Sequence, residues 1–249
     1  MTRRLDRVLV ERGLARSRGR AADLIRQGAA RVNGSVVTRP AAPVADSDAV
    51  QVVADHYVSR AAHKLLGALD DTGLPVAGRA LDAGASTGGF TQVLLERGAG
   101  HVHAVDVGHD QLVPQLRHDP RVTVHEGLNL RTLTLDHLDG APVDLVVGDV
   151  SFISLRLLLP RLLGVLDPSG AALLLVKPQF EVGKGGLDSR GVVRDDVVRR
   201  RCVDAVSADA AALGWREAWR GPSRIVGSAG NVEWFLLFRG HGEDVGGPR

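Results

Sequence analysis

Two lysines and two carboxylates have the residue types and chain positions needed to move a proton. Asp149 and Lys177 each end a predicted apolar strand, Glu233 begins the last predicted strand, and Lys64 lies on a predicted helix. A lysine can serve as a base after losing its proton, whereas an arginine effectively cannot. Only three of the 31 basic residues are lysines, the third being Lys184, which favours a chemical role for those that remain. The structural alternative for the four side chains is two buried salt bridges.

A regular alternation of strands and helices after residue 58 must position these side chains. Apolar strands separated by helices indicate a parallel sheet that is covered on both faces. We therefore predict an α/β fold with a Rossmann-like, doubly wound, mostly parallel sheet, in which residues at strand ends flank one crevice. The predicted helices cover 59–71, 88–97, 110–117, 154–166 and 192–213, and the predicted strands cover 79–83, 102–107, 122–126, 143–149, 171–176, 215–220 and 232–238.

A glycine-rich loop, Asp82 to Phe90, follows the first of these strands and precedes a helix. Ser86 stands where the dinucleotide fingerprint G-x-G-x-x-G requires glycine, and the Gly-Lys-Ser/Thr ending of a P-loop is missing. An aspartate at the start of the loop suits a cationic amino acid better than a diphosphate. Asp106 ends the next strand, where a carboxylate can hold a ribose diol. These features favour S-adenosylmethionine over the alternative of a tight turn without a ligand.

The residues that we expect to bind this cofactor lie in the loop and after the neighbouring strands. Asn129 joins them because it follows the third strand, where groups facing an adenine are expected. The full set is Asp82, Gly84, Ser86, Thr87, Gly88, Gly89, Phe90, Asp106, Asn129 and Asp149.

The first 40 residues form a basic head, with ten arginines against three acidic residues and a net charge of +7. Because the rest of the chain is mildly acidic, this head favours a polyanionic partner. Ser17 is predicted to cap a helix over 18–27, and Asn33-Gly34 predicts a hairpin turn between short strands. The alternative is a small docking domain whose arginines only face solvent. The predicted RNA-binding residues are Arg3, Arg4, Arg7, Arg16, Arg18, Arg20, Arg26, Asn33 and, on a later glycine-rich loop, Lys184.

Two known families share these motifs. Over residues 2–54 the Ser-Arg, Leu-Ile, Gly and Val-Asn-Gly pattern resembles the RNA-binding module of the ribosomal-protein S4 type. The order Lys64, Asp149, Lys177, Glu233 resembles the tetrad of FtsJ-like ribose 2′-O-methyltransferases. Together with the segments 84–90, 149–154 and 177–181, nearly the whole chain is similar to the TlyA family.

The resemblance implies S-adenosylmethionine-dependent methylation of a cytidine ribose in ribosomal RNA, with the four tetrad residues as the catalytic group. It also implies ribosomal RNA or ribosomal subunits as the partner. We expect a small N-terminal α+β RNA-binding domain at 1–54, a linker at 55–58, a class I methyltransferase domain at 59–239 and a disordered Gly-rich tail at 240–249. The linker, Asp55-His56-Tyr57-Val58, departs from the basic residue and Trp that relatives often carry there.

Composition argues against several other classes of protein. The single cysteine, Cys202, rules out an internal disulfide framework, and no stretch approaches the ~18 apolar residues of a membrane helix. The N-terminus has no apolar signal stretch, so we expect a cytoplasmic protein without a membrane partner. His101 and His103 are interpreted as structural, and no metal ion is expected. The oligomeric state stays open, and the alternative functions are a non-enzymatic RNA-binding protein with a vestigial Rossmann domain and a haemolysin-like cytolysin.

Overall fold

Two units, residues 1–60 and 61–249, make up the chain in the computed structural model. The structure describes residues 2–26, 28–53, 55–183, 185–227 and 229–240. The predictions for Lys184 and for residues 241–249 of the tail fall outside these ranges, and the proposed domain limits remain predictions.

The N-terminal unit packs two helices against short strands. Its elements are β1 (Thr2–Arg4), α1 (Leu5–Glu11), α2 (Arg18–Arg26), β2 (Ala30–Val32), β3 (Ser35–Val36), β4 (Pro43–Ala45) and β5 (Val50–Val52). Strands β1 and β4 pair with each other, and β2 lies between β3 and β5. Leu5, Leu9 and Ile25 are fully buried in the core of this unit.

The predicted helix cap at Ser17 and the predicted turn at Asn33-Gly34 are both confirmed. The backbone amide of Arg20 donates to Ser17 Oγ at 3.2 Å, so Ser17 caps α2. Asn33 and Gly34 have φ angles of +52° and +81°, and β2 and β3 pair antiparallel around them. Positive φ at both central residues is the requirement of the tight hairpin turn that the Asn-Gly pair predicts.

A seven-stranded sheet forms the centre of the second unit, in the order β11-β12-β10-β9-β6-β7-β8. Strand β12 runs antiparallel to both of its neighbours, and the other pairs are parallel. The predicted mostly parallel α/β sheet is therefore confirmed. The strands are β6 (Arg79–Ala83), β7 (His101–Asp106), β8 (Val122–Glu126), β9 (Val143–Gly148), β10 (Leu166–Val176), β11 (Trp215–Pro222) and β12 (Trp234–Gly240).

Helices and 3₁₀ turns connect these strands. The helices are α3 (Ala61–Thr72), α4 (Gly89–Arg97), α5 (Pro114–Arg117), α6 (Leu159–Gly164), α7 (Pro178–Glu181) and α8 (Asp196–Ala212), and the 3₁₀ turns are Leu130–Thr132, Leu135–Leu138 and Leu155–Leu157. Leu81, Val146, Leu174 and Phe238 belong to the buried core around the sheet.

Three predicted helices were wrong in extent. The apolar run 154–166 contains only a 3₁₀ turn and α6, and its last residue already begins β10. Such a run fits a buried helix and a buried strand equally well. Helix α8 begins four residues later than predicted, because the Asp195 carboxylate accepts from the amides of Val197 and Val198 and caps it there. Of the predicted helix 110–117, only α5 is helical.

The sheet brings three tetrad residues to one edge. Asp149 directly follows β9 and Lys177 directly follows β10, and these two strands are parallel neighbours. Val176 at the end of β10 pairs with Trp234 at the start of the antiparallel β12, which places Glu233 beside Lys177. The fold therefore assembles the chemistry where doubly wound sheets bind ligands.

Candidate active site

Lys64, Asp149, Lys177 and Glu233 form one connected ionic cluster. The Asp149 carboxylate contacts both lysines, with Oδ1 2.7 Å from Lys177 Nζ and Oδ2 3.4 Å from Lys64 Nζ. Lys64 Nζ also donates to Glu233 Oε2 at 2.7 Å. Two positive and two negative charges thus share a site, and Asp149 is the residue that joins them.

Burial makes this cluster costly unless its members are paired. Lys64, Lys177 and Glu233 are only 6%, 7% and 3% exposed. Removing charged groups from water costs several kcal/mol per ion, which close partners must offset. The salt bridges that the sequence offered as a structural alternative are therefore present. They do not exclude chemistry, because Asp149 also lines an open cavity.

That cavity has a volume of about 530 Å³ and lies beside the cluster. Five of the predicted cofactor-binding residues line it: Gly84, Ser86, Asp106, Asn129 and Asp149. The other five, Asp82, Thr87, Gly88, Gly89 and Phe90, are not among its lining residues. Their direct contact with a cofactor stays a prediction that the shape of the cavity does not support.

The glycine-rich loop and Asp106 shape one wall of the cavity. Gly84 has φ of +87°, and a Cβ there would lie 3.3 Å from Val150 Cα, so a side chain would press on the segment after β9. Asp106 accepts from the amides of Ser86 at 2.8 Å and of Gly108 at 2.7 Å. Because an ionised carboxylate offers about four acceptor positions, Asp106 can still receive two hydroxyls.

Asp82 lies behind this wall. Its side chain is fully buried, and Thr91 Oγ1 donates to one carboxylate oxygen at 2.7 Å while the other has no recorded partner. Burial raises the pKa of Asp82 to about 7, against the hydrogen bonds from Thr91, which lower it. The prediction that this residue faces a cationic ligand therefore lacks structural support, since its contact is with α4.

The raised pKa of Asp82 predicts a stability effect. Between the unfolded pKa of 3.8 and the folded value of about 7, the folded state holds the proton more tightly. The stabilisation is thus complete at acid pH and is lost as pH rises through neutrality. The side chain in Asp82→Asn cannot ionise, so the melting temperature of this variant should match that of the parent near pH 4 and exceed it by several degrees near pH 8. The corresponding difference in the free energy of unfolding is on the order of 3–4 kcal/mol. A gap that does not change with pH, measured by thermal melts, would contradict this assignment.

Two cavity residues that sequence reasoning missed, Ser151 and Phe152, lie two and three positions after Asp149. Ser151 Oγ lies 2.5 Å from Lys177 Nζ, and Phe152 lies with its ring centroid 5.4 Å from that of Phe180. Phe152 has φ of +66° and is 92% exposed, a strained conformation for a bulky residue and an unusual position for a large apolar one. Their place after a strand end was the available signal.

The matching families agree with this geometry. Residues 57–240 match the family described as FtsJ-like methyltransferase, and residues 3–50 match the S4 domain. The 16S/23S rRNA (cytidine-2′-O)-methyltransferase TlyA of Mycobacterium tuberculosis is 52% identical over 95% of this chain and 89% of that relative. The chain belongs to the TlyA family of FtsJ-like methyltransferases.

Other relatives of this methyltransferase carry a different name. Hemolysin A of Brachyspira hyodysenteriae is 38% identical over 94% of this chain and 99% of that relative. A solved structure from Streptococcus thermophilus, described as a candidate hemolysin, has a TM-score of 0.76 and 34% identity, covering 98% of this chain and 91% of that one. Within the described part of this methyltransferase, no helix has the length and apolar content needed to cross a membrane.

The predicted RNA-binding arginines of the S4 domain fall into two groups. Arg3, Arg4, Arg18 and Arg26 each form an ion pair with an acidic residue of the same unit. No side-chain contact is recorded among the described residues for the exposed Arg7, Arg16 and Arg20. Asn33 hydrogen-bonds Asp48 and the amide of Ala49, so it holds the hairpin.

A histidine cluster lies on β7 and β8 of the methyltransferase domain. Candidate ligand atoms of His101, His103 and Asp139 lie within 4.8 Å of one another. Burial, with His101 and Arg79 nearby, lowers the pKa of His103 to about 4. Arg79 Nη2 lies 3.1 Å from His103 Nε2, and this guanidinium opposes a metal ion at that nitrogen.

Proposed function

We propose that this methyltransferase transfers the methyl group of S-adenosylmethionine to the 2′-hydroxyl of cytidine in ribosomal RNA. The observation that carries the proposal is Asp149, which both lines the cavity and holds the two buried lysines. A methyl donor in the cavity and a hydroxyl at Lys177 would therefore meet at one carboxylate. The M. tuberculosis relative has this activity in its name.

The cavity residues fit the proposed cofactor. A volume of about 530 Å³ lies in the range of small-molecule sites. The free acceptor positions of Asp106 suit a ribose diol, and Asn129 and Leu130 line the part of the cavity after β8, where an adenine is expected. The backbone of Gly84 leaves room for close approach, and Asp149 offers a negative charge to a cationic group.

Proton removal by Lys177 is the chemical step that this chain supplies. S-adenosylmethionine supplies a methyl group on a cationic sulfur, so that the 2′-oxygen forms the C–O bond while the C–S bond breaks. Lys177 Nζ takes the hydroxyl proton, a role typically worth ~10²–10⁴-fold in rate. The Asp149 carboxylate, 2.7 Å away, stabilises the ammonium that forms.

Lys64 and Glu233 hold Asp149 in place for this step. Lys64 Nζ bridges Glu233 Oε2 and Asp149 Oδ2, and Gln179 Nε2 donates to Glu233 Oε1 at 3.2 Å. Because Lys64 fixes Oδ2 of Asp149, the other carboxylate oxygen, Oδ1, stays beside Lys177 Nζ. Alignment of this kind supplies much of the rate in a displacement that needs its atoms in line.

The S4 domain is proposed to deliver the RNA. Its exposed arginines would contact phosphates, while the cavity selects the reacting ribose. Because ribosomal subunits are the proposed substrate, we place the activity in the cytoplasm.

Phe152 is the residue that we expect to contact the target nucleotide by stacking. An exposed aromatic ring at the rim of a nucleic-acid site typically contributes ~1–3 kcal/mol per stacked base. Phe152→Gly should lower the kcat/KM for ribosomal RNA roughly 10-fold by losing that stack. Its melting temperature should stay level or rise, because glycine relieves ~1–2 kcal/mol of left-handed backbone strain.

A matched control separates stacking from general loss of apolar surface. Leu213→Ala removes an exposed apolar side chain at the end of α8, outside the cavity, and should leave kcat/KM unchanged. Steady-state kinetics with thermal melts give both quantities. Full activity in a stable Phe152→Gly protein would exclude the stacking role.

The proposed function is tested by methyl transfer in a purified system. Ribosomal subunits that lack the modification are incubated with the protein and S-adenosylmethionine carrying a labelled methyl group. Label in the RNA supports the proposal. Cofactor binding by calorimetry without any transfer would instead support the vestigial, RNA-binding alternative.

A further inference from the structure

Ser151 makes a contact with Lys177 that the four-residue cluster does not include. Lys177 Nζ donates to Ser151 Oγ at 2.5 Å, and its other neighbours are Asp149 Oδ1 at 2.7 Å and the Asp149 carbonyl at 3.4 Å. The Phe180 ring centroid lies 5.9 Å away. The charged groups around this amine are Asp149 and, through the same carboxylate, Lys64 with Glu233.

The role of the Ser151 contact depends on how many hydrogens the Lys177 amine carries. A protonated lysine has three hydrogens to donate, whereas a neutral one has two and a lone pair. Ser151 Oγ and the Asp149 carbonyl oxygen are the two acceptors that hydrogen-bond this amine, so they can hold both hydrogens of its neutral form. The lone pair is then fixed in direction, as a base requires.

The loop that carries Ser151 is fastened to the helix that follows Lys177. Glu181 on α7 accepts from Ser154 Oγ at 2.5 Å and from the amide of Leu155 at 2.7 Å. The rings of Phe152 and Phe180 make a second link between the same segments. The left-handed backbone at Phe152 costs ~1–2 kcal/mol, so the loop persists only because these contacts hold it.

We propose that Ser151 is a positioning residue which, with Asp149, aims the lone pair of neutral Lys177 at the ribose hydroxyl, and that Glu181 holds Ser151 in place. This inference rests on the proposed function, since it refines the role of the same base. It concerns a residue outside the tetrad and assigns it no direct contact with the methyl group.

The decisive variants are Ser151→Ala and Ser151→Thr in the full chain. Single-turnover methylation of ribosomal subunits at saturating cofactor is followed from about pH 6 to about pH 9. In the alanine variant the plateau rate should fall roughly 10-fold, because the base is misaligned. The acid limb of the profile should move to lower pH, since a hydroxyl that accepts from an ammonium favours the charged form. Threonine keeps the hydroxyl and should restore both.

Ser207→Ala is a matched control. Ser207 lies on α8, away from the cavity, and its Oγ donates to Glu217 Oε2 at 2.5 Å. The alanine variant therefore also loses a short hydrogen bond to a neighbouring side chain. It should keep the parent rate and pH profile. A well-folded Ser151→Ala protein with the parent rate, or with a lower rate and an unmoved acid limb, would overturn the positioning role.

A second readout does not depend on activity. The chain has only three lysines, so NMR of ¹³C-labelled lysine gives three side-chain signals, and Lys177→Arg identifies one of them. The titration midpoint of that signal should move to lower pH in Ser151→Ala and in Glu181→Ala, but not in Glu181→Gln, whose amide oxygen still accepts from Leu155. An unmoved midpoint would overturn the proposal. Absence of methyl transfer by the parent protein would count against the proposed function alone.

Discussion

Lys177→Arg should bind cofactor and RNA nearly as well as the parent but transfer methyl groups at least ~10²-fold more slowly. The substitution keeps the positive charge beside Asp149, so the ion pair survives. It removes the ability to accept a proton, because a guanidinium stays protonated in proteins. Single-turnover methylation isolates the chemical step, and calorimetry reports cofactor binding.

Lys177→Ala distinguishes a general base from a lysine that only neutralises the charge of Asp149. If Lys177 is the base, alanine and arginine should be similarly inactive. If Lys177 only neutralises Asp149, arginine should be largely active, and alanine should be unstable because it leaves a buried carboxylate with one partner fewer. Thermal melts of both variants show which loss comes from folding. An active, well-folded arginine variant would refute the general base.

The triple variant Arg7→Ala, Arg16→Ala and Arg20→Ala should weaken binding to ribosomal RNA steeply. Among the described residues no carboxylate pairs with these three exposed arginines, so they are free to contact phosphates. A plot of log affinity against log salt has a negative slope, and each lost phosphate contact makes that slope shallower by about 0.7–0.9. The triple variant should therefore reduce that slope by roughly 2, with affinity at low salt falling ~10-fold or more.

A second triple variant with the same change in net charge serves as the control. Arg3 and Arg26 pair with acidic residues, and Arg12 donates to the carbonyls of Asp46 and Asp48. Replacing these three by alanine should cost clearly less affinity, since their charge is already engaged. Binding titrations at several salt concentrations measure both. Equal losses would show that only the net charge of the head matters.

The strand ends were predictable because charge interrupts apolar runs there. Lys177 follows the six apolar residues 171–176, and Asp149 follows a strand that ends in the uncharged run 145–148. Neighbouring parallel strands end at the same edge of a sheet, so the sequence placed Asp149 and Lys177 together without any knowledge of distances. The Asn33-Gly34 turn was equally readable, because few residue pairs adopt positive φ at both positions.

Contacts between segments could not be read from the chain. The spacing of Ser151 and Lys177 does not show that a loop folds back until their atoms are 2.5 Å apart. Positive φ at Phe152 was also unforeseeable, since a bulky residue rarely adopts it. Asp82 was expected to face the cofactor, but the structure buries it and pairs it with Thr91.

Nucleoside mass spectrometry of ribosomal RNA tests the central proposal most directly. Unmodified ribosomal subunits are incubated with the full chain and S-adenosylmethionine, and their RNA is digested to nucleosides. We expect 2′-O-methylcytidine to appear with the parent protein and to be absent with Lys177→Ala. Methylation on a base, on another nucleoside or equally with both proteins would contradict a tetrad that methylates the cytidine ribose.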